Sequence, residues 1–295
     1  IKSYHFHSSQ MPASIQFGVE FEGFTALKTP YPKNISELSD LFKQEGLGSM
    51  ASLNPRASTG YKVWNITIDG SIITARDFIG RHKTHDLVVQ DSPGMEIVSP
   101  ILAGAEGHAE MMKAVEALEK VKFKSNETCG MHMHIGIKHL DFEQQKNLAL
   151  AICRNEDELD KLLSPERQDD NNKFATSLKG IDNLEDSITA ATTVEELVEA
   201  VNPGKNRYSK YDLTGLVLPA APPTIQYRGA GGANYLPTAG AHAIIIGNFT
   251  DQALKNPDVK LENVISELVT HCHKLAHAHA KKPHAARHHA APALH

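Results

Sequence analysis

Two glutamates stand two positions apart in an otherwise apolar stretch, FGVEFEGF, at residues 17–24. In an extended strand successive side chains point to opposite faces, so Glu20 and Glu22 share one face while the aromatic and aliphatic residues take the other. Their Cα atoms would then lie about 6.6 Å apart, a spacing at which two carboxylates can flank divalent cations. The stretch therefore predicts a strand with a candidate cation-binding face.

Three further stretches follow the same alternation. GMHMHIG places His132 and His134 on one strand face, TIQYRG does the same with Gln226 and Arg228, and MEIVSP adds Glu96. Each stretch alone is also typical of the solvated face of an antiparallel sheet. Together they offer carboxylates, imidazoles and a guanidinium, which is the set needed to hold Mg²⁺ and a polyphosphate in one cleft.

Sequence patterns typical of helices lie between these predicted strands. Asn34 with Glu37, and Asp141 with Gln144, have the spacing of capping boxes. Caps and apolar periodicity predict helices over 35–46, 105–122, 141–163, 193–201, 236–255 and 259–282. Residues 164–192 are polar and poorly periodic, which indicates an exposed excursion or a lid. Because helices and strands alternate irregularly and several strands have one polar face, the predicted fold class is α+β with a largely antiparallel sheet.

Composition and net charge predict the domain organisation and argue against one class of partner. The chain has 295 residues, of which 41% are hydrophobic, enough for one substantial core. We predict a single domain over residues 1–282 and a flexible tail at 283–295, where His and Ala dominate. The net charge of −5 argues against nucleic acid as a partner.

The cellular compartment is predicted from features that the sequence does not contain. It has neither an apolar run of membrane-spanning length nor the order of a signal peptide. Its three cysteines are too scattered for a disulfide framework. These features predict a cytoplasmic protein that does not associate with a membrane.

The quoted stretches resemble a known family in their order along the chain. FGVEFE, WNITIDGSI, MEIVSPILAG, NETCGMHMHIG, RYSKYDL and TIQYRG occur in the order found in the amidoligases. These enzymes belong to the carboxylate–amine ligase superfamily of glutamine synthetase and glutamate–cysteine ligase. GMHMHIG is the most specific segment, since glutamine synthetases carry a similar Gly-Met-His-x-His.

The resemblance implies a fold and a reaction. The fold would be a large, curved, mainly antiparallel sheet that forms a funnel and is backed by helices. ATP would enter at one end, with Mg²⁺ or Mn²⁺ between the nucleotide and the acid. The reaction would be ATP-dependent amide or peptide bond formation, through an acyl phosphate, between a small-molecule or peptide carboxylate and an amine. The oligomeric state stays open, a homo-oligomer included.

The resemblance also implies roles at matching positions. Arg228 would face the transferred phosphate, Arg207 would lie near the phosphates, and His134 would be the nucleotide-side neighbour of the metal-binding imidazole. Metal binding is implied for Glu20, Glu22, Glu96 and His132, with Gln226 at the position of a further metal carboxylate. Substrate or nucleotide binding is implied for Asp69, Tyr208 and Lys210.

One position departs from the family pattern. Where the family has Thr-x-Glu-x-Arg, this chain has Thr224-Ile-Gln-Tyr-Arg228, so an amide replaces an expected metal carboxylate. Glutamine can offer its carbonyl oxygen to Mg²⁺ but brings no charge. The chain could thus be a ligase with one weakened metal site, a relative that binds without turnover, or a sequence with a misassigned residue.

Two other functions are compatible with the motifs. A zinc hydrolase could use His132, His134 and a glutamate, although it would not require Arg228 or the additional carboxylates. A ligase-like binding protein or filament-forming scaffold would be consistent with Gln226. Neither alternative is excluded by the sequence.

Overall fold

A computed structural model of the protein describes residues 6–25, 33–52, 60–69, 72, 94–168, 172–219, 222–232 and 235–280. Within these residues one open sheet has the order β2-β3-β4-β1-β6-β8-β7, and β5 also pairs with β1. The strands are β1 (Gln16–Gly23), β2 (Ser49–Ala51), β3 (Trp64–Ile68), β4 (Met95–Val98), β5 (Leu102–Ala103), β6 (Met131–Gly136), β7 (Tyr211–Asp212) and β8 (Thr224–Tyr227). The β2–β3 pair is parallel and the others are antiparallel.

β1 lies inside the sheet between β4 and β6, and its side chains alternate between an apolar and a polar face. Phe17, Val19 and Phe21 are at most 2% exposed and belong to the core, whereas Glu20 and Glu22 lie on the partly exposed face. A strand with one apolar face must pack that face against other elements, and the opposite face remains available for polar chemistry. The predicted division of FGVEFEGF between two faces is confirmed.

The described helices are α1 (Lys33–Gln44), α2 (Gly104–Lys120), α3 (Phe142–Asp160), α4 (Pro165–Gln168), α5 (Leu184–Ala190), α6 (Val194–Val201), α7 (Ala239–Ala253) and α8 (Leu261–Ala280). Two of them, α2 and α7, form hydrogen bonds with buried side chains of the sheet. The fully buried Trp64 of β3 donates through Nε1 to Glu110 Oε1 of α2 at 3.0 Å. On β8, the Tyr227 hydroxyl lies 3.1 Å from Thr250 Oγ1 of α7. The α+β class is therefore confirmed.

Local sequence signals correctly predicted two helix ends. The Asp141 side chain accepts from the Gln144 N–H at 2.8 Å, and the Gln144 side chain accepts from the Asp141 N–H at 3.1 Å, as predicted for a capping box at the start of α3. After α1, Gly46 has a φ of +77°, and the Leu47 N–H donates to the Phe42 carbonyl at 2.9 Å. This left-handed glycine ends the helix as predicted.

The segment 164–192 is not the exposed excursion that its polarity predicted. It contains α4, α5 and a 3₁₀ turn at Leu178–Gly180, and it contributes Leu178, Leu184 and Ile188 to the core. Each of these pieces is too short to show a clear helical period, which is why the apolar pattern was not recognised. The lid prediction is wrong for the described part of this segment.

Two of the motifs shared with the amidoligases contain only short strands. Tyr61 adopts a left-handed backbone conformation with φ of 54°, and β3 begins only at Trp64. In NRYSKYDL the strand is confined to Tyr211–Asp212. The Asn34 side chain and the tail at 283–295 lie outside the described residues.

Among the described helices, none combines the length and apolar character needed to cross a membrane.

Candidate active site

The pairing of β1 with its neighbours brings acids and imidazoles together. Glu22 is directly opposite Glu96 on β4, and Glu20 is directly opposite His132 on β6. His132 Nδ1 lies 2.9 Å from Glu20 Oε2 and 3.8 Å from Glu22 Oε1, and His134 Nε2 lies 3.1 Å from Glu20 Oε1. These five predicted site residues therefore form one continuous group on the polar face.

Glu20 is the negative centre of this group. Burial alone would raise the pKa of its carboxyl, but the charge of His134 and the hydrogen bonds from His132 and His134 hold the pKa well below its usual range. The side chain therefore stays ionised at neutral pH. A half-buried, ionised carboxylate between two imidazoles is available as a ligand for a hard cation.

A second acidic group lies beside it. Glu22, Asp69 and Glu96 each offer a carboxylate oxygen within 4.8 Å of the others. Burial, followed by repulsion from Glu20, Asp69 and Glu22, raises the pKa of Glu96 to about 8. Divalent cations such as Mg²⁺ and Mn²⁺ prefer oxygen ligands, and such a cation would offset this repulsion. The donor set therefore fits the metal that the family resemblance implies.

Arg228 follows β8 and lies close to these acids. It is only 8% exposed, and its Nε has no hydrogen-bond partner within the described part of the chain. Burial and then the charge of Arg207 lower the pKa of its guanidinium, whereas Glu20 and Glu22 act in the opposite direction. Its Cζ lies 6.0 Å from the ring centre of Tyr208. A buried guanidinium without such a partner is suited to bind an anionic ligand.

A cavity of about 480 Å³ opens beside the Glu20–His134 pair. Its lining includes Glu20, His134 and Gln226 from the sheet, the cations Lys138, Lys205 and Arg207, and the apolar side chains of Tyr61, Ile101 and Leu218. These three belong to the small set of large hydrophobic residues that are exposed in the described part of the chain. Cations and apolar walls in one cavity suit a ligand with an anionic part and an apolar part.

Two positioning residues were missed by the sequence analysis. The Gly130 N–H donates to Glu22 Oε2 at 2.5 Å, and a Cβ at position 130 would overlap the His132 ring. Thr224 Oγ1 lies 3.2 Å from His134 Nδ1 and thereby orients that ring. The glycine immediately before MHMH was the available signal, since close approach of side chains to backbone requires glycine.

Lys210 is not part of the group formed by Glu20, His132 and His134. It is completely buried, and its Nζ lies 2.9 Å from both carboxylate oxygens of Asp160 on α3. Asp69, predicted on the substrate side, lies instead among the carboxylates that could hold a cation. Tyr208 is 51% exposed and lies near Arg228.

Cys129 and Trp64 are structural. Burial raises the pKa of the Cys129 thiol to about 11, so it remains protonated at neutral pH and is a poor nucleophile. Trp64 is fully buried in the core. Neither residue lines the cavity.

Comparison with known proteins identifies the family of this chain. A family model described as "Putative amidoligase enzyme" matches residues 13–233, a range that contains every predicted site residue. No curated protein matched the chain. Because the match extends over most of the sequence, this chain belongs to the amidoligase family, whose members are ligases that form amide bonds.

Proposed function

We propose that this protein is an ATP-dependent carboxylate–amine ligase that works through an acyl phosphate and requires Mg²⁺ or Mn²⁺. The observation that carries the proposal is the placement of the Glu20–His132–His134 group between two features. On one side are the carboxylates of Glu22 and Glu96, and on the other is the cavity with its cations.

The acidic residues are the proposed metal ligands. Glu22, Asp69 and Glu96 would hold one cation, while Glu20 and His132 would hold another. When bound, the cations would shield the repulsion between the acid substrate and the triphosphate. The three-residue group with close ligand atoms among the described residues consists only of carboxylates, which favours Mg²⁺ over the zinc of a hydrolase.

The cations and the cavity are the proposed nucleotide site. The exposed Arg207 and the cavity lysines would bind the phosphates, and the apolar wall would accept the base. His134, held by Thr224 and Glu20, would contact the nucleotide. Arg228 would stabilise the charge of the phosphoryl group during transfer.

The chemistry explains why such residues are needed. A carboxylate cannot acylate an amine directly, because its leaving group would be oxide. In the proposed first step a carboxylate oxygen of the substrate attacks the γ-phosphorus and ADP leaves. In the second step the amine nitrogen attacks the acyl carbon, phosphate leaves, and the amine proton passes to a neutral imidazole or a carboxylate.

Gln226 keeps one alternative open. Its amide lines the cavity where the family pattern has a charged metal ligand, which favours a ligase-like binding or scaffold protein that does not turn over. The two functions differ in ADP formation. A catalytic protein releases ADP with the correct acid and amine, whereas a binding protein holds ATP without consuming it.

The test is ADP release from ATP and Mg²⁺ in the presence of mixed carboxylic acids and amines. We expect turnover in the native protein and a loss of roughly 10³-fold or more in Arg228→Ala, as for arginines that stabilise transferring phosphoryl groups. Arg154→Ala is the matched control, because Arg154 pairs with Glu185 and Asp258 away from the cavity. Absence of both ATP binding and ADP release in the native protein would overturn the proposal.

A further inference from the structure

Two glycines lie in the floor of the cavity, on the polar face of neighbouring strands. Gly18 of β1 is directly opposite His134 of β6, and Gly136 lies two residues further along β6. Both line the cavity, whereas the adjacent Phe17 and Ile135 belong to the core. Diagonal neighbours of this kind on antiparallel strands are about 7–8 Å apart. These two positions, called the glycine floor below, leave part of the cavity floor without side chains.

The protein's own geometry does not require glycine at either position. Neither residue is among the described glycines with a positive φ. A Cβ at Gly18 would lie 3.5 Å from Ser99 Oγ and 4.0 Å from His134 Cβ. A Cβ at Gly136 would lie 3.6 Å or more from the atoms of Gln16. These are ordinary van der Waals contacts, so an alanine would fit at both positions.

Glycine inside a strand has a cost for stability. It loses more conformational freedom on folding than alanine and has no side chain to pack. Such a glycine commonly marks a bulge, a bend, or a place where a ligand or another backbone approaches closely. The pairing of β1 with β6 runs without interruption through Gly18, and β6 with β8 through Gly136, so neither position is a bulge. The close approach of a ligand is the remaining explanation.

Apolar side chains stand on both sides of the glycine floor. Tyr61 precedes β3 and Ile101 follows β4, which places both on one side of β1, whereas Leu218 follows β7 towards the other edge of the sheet. All three line the cavity and are exposed. A flat floor between apolar walls is suited to a planar, apolar group such as a nucleobase.

The backbone of Tyr61 is strained. Its φ of 54° is rare for a bulky residue, and its carbonyl accepts from the Ile101 N–H at 3.0 Å. The side chain is 44% exposed, so core packing does not offset this strain. Burial and then the charges of Glu20 and Glu96 raise the pKa of its hydroxyl, which indicates that the ring lies near the proposed metal ligands. Strained residues of this kind cluster at ligand-binding sites.

We propose that the base of the nucleotide lies on the glycine floor of Gly18 and Gly136, against the ring of Tyr61. This inference rests on the proposed function, since it assigns the base end of the proposed nucleotide site. Glu20 and His134 lie on the same two strands and the same face as the glycines. A base on the floor therefore leaves the phosphates beside the proposed metal ligands.

The test compares two ligands of the full chain by isothermal titration calorimetry with Mg²⁺. AMP-PNP carries a base, whereas inorganic tripolyphosphate offers only phosphates. Gly18→Val and Gly136→Val put a side chain where the base would lie. We expect each to weaken AMP-PNP binding by about 10- to 100-fold, the size expected when the contacts of one base are lost, and to leave tripolyphosphate binding unchanged. Gly180→Val is the matched control, because that glycine is exposed and has open space around it.

Unfolding in urea provides a second readout with the opposite sign. Gly18→Ala and Gly136→Ala should raise the urea midpoint, because they remove strand glycines at positions that accept a Cβ, and should weaken AMP-PNP binding by a smaller factor than valine. Tyr61→Asn should also raise the midpoint while weakening AMP-PNP binding, because asparagine adopts the left-handed conformation more readily and has no ring. Glycines kept for the fold alone would give a lower midpoint in the alanine variants.

The outcomes distinguish this inference from the proposed function. Native protein that binds neither AMP-PNP nor tripolyphosphate overturns both. Native binding of AMP-PNP that is unchanged in the folded valine variants overturns the glycine floor alone, and equal losses of both ligands contradict it by placing phosphates there. If the valine variants do not fold, unchanged AMP-PNP affinity in the two alanine variants and in Tyr61→Asn contradicts the inference.

Discussion

Glu96 should make the stability of the metal-free protein depend on pH. Its carboxyl lies on β4 opposite Glu22, and burial with repulsion from neighbouring acids raises its pKa from an ordinary 4.5 to about 8. Because the folded pKa lies above the unfolded one, the folded state binds more protons between these values. The free energy of unfolding should therefore fall as pH rises from about 5 to about 8.

The size of this change in the free energy of unfolding follows from the pKa shift of Glu96. Each pKa unit corresponds to about 1.4 kcal/mol, so the full difference would cost the fold about 4–5 kcal/mol once the carboxyl is ionised. Glu96 is partly exposed, and solvent screening with side-chain relaxation should reduce the effect to about 2–3 kcal/mol. Glu96→Gln removes the titrating group and should lose this part of the pH dependence.

The assay is urea unfolding in EDTA across this pH range. The single tryptophan, Trp64, is a suitable fluorescent reporter because it is buried on β3, whose residue Thr67 is paired with Glu96. Glu116→Gln, an exposed change on α2, is the control. Millimolar Mg²⁺ should flatten the native curve, since a cation stabilises the ionised carboxylates.

Parallel curves for the native protein and Glu96→Gln would refute this reasoning. Such a result would mean that Glu96 titrates near its ordinary pKa and that the three carboxylates do not repel one another in the folded state. A steep native curve that Mg²⁺ leaves unchanged would retain the electrostatic argument but contradict the cation site.

Two further predictions concern packing. Lys210→Met should lower the free energy of unfolding by about 3 kcal/mol, because it removes the closest cation from the buried Asp160 carboxylate and leaves, among the described residues, only Lys179, at 3.5 Å. The exposed Lys255→Met is the control, and an equal effect of both variants in urea unfolding would contradict a structural role for Lys210. Gly130→Ala should weaken Mn²⁺ binding, because the new Cβ would overlap the His132 ring, whereas Gly180→Ala has open space around it and should not. Unchanged Mn²⁺ affinity in Gly130→Ala would mean that His132 is not a ligand.

The faces of the strands were predictable from the sequence. Side-chain alternation depends on local backbone geometry, so the separation of Glu20 and Glu22 from Phe21 followed from the pattern alone. The capping box of α3 and the glycine that ends α1 were also predictable, because their hydrogen bonds join residues a few positions apart. The motif order was sufficient to indicate the amidoligase family.

Only the tertiary structure decided which residues meet. His132 and Glu20 are 112 residues apart in sequence and come into contact through strand register, which depends on packing of the whole sheet. The same long-range pairing placed Asp212 beside Gln226, although the sequence marked only the glutamine as unusual. The resemblance implied that Lys210 binds substrate or nucleotide. The packing of α3 instead places Asp160 against its ammonium group. Composition and spacing thus determined the available chemical groups, and non-local contacts determined which of them form the site.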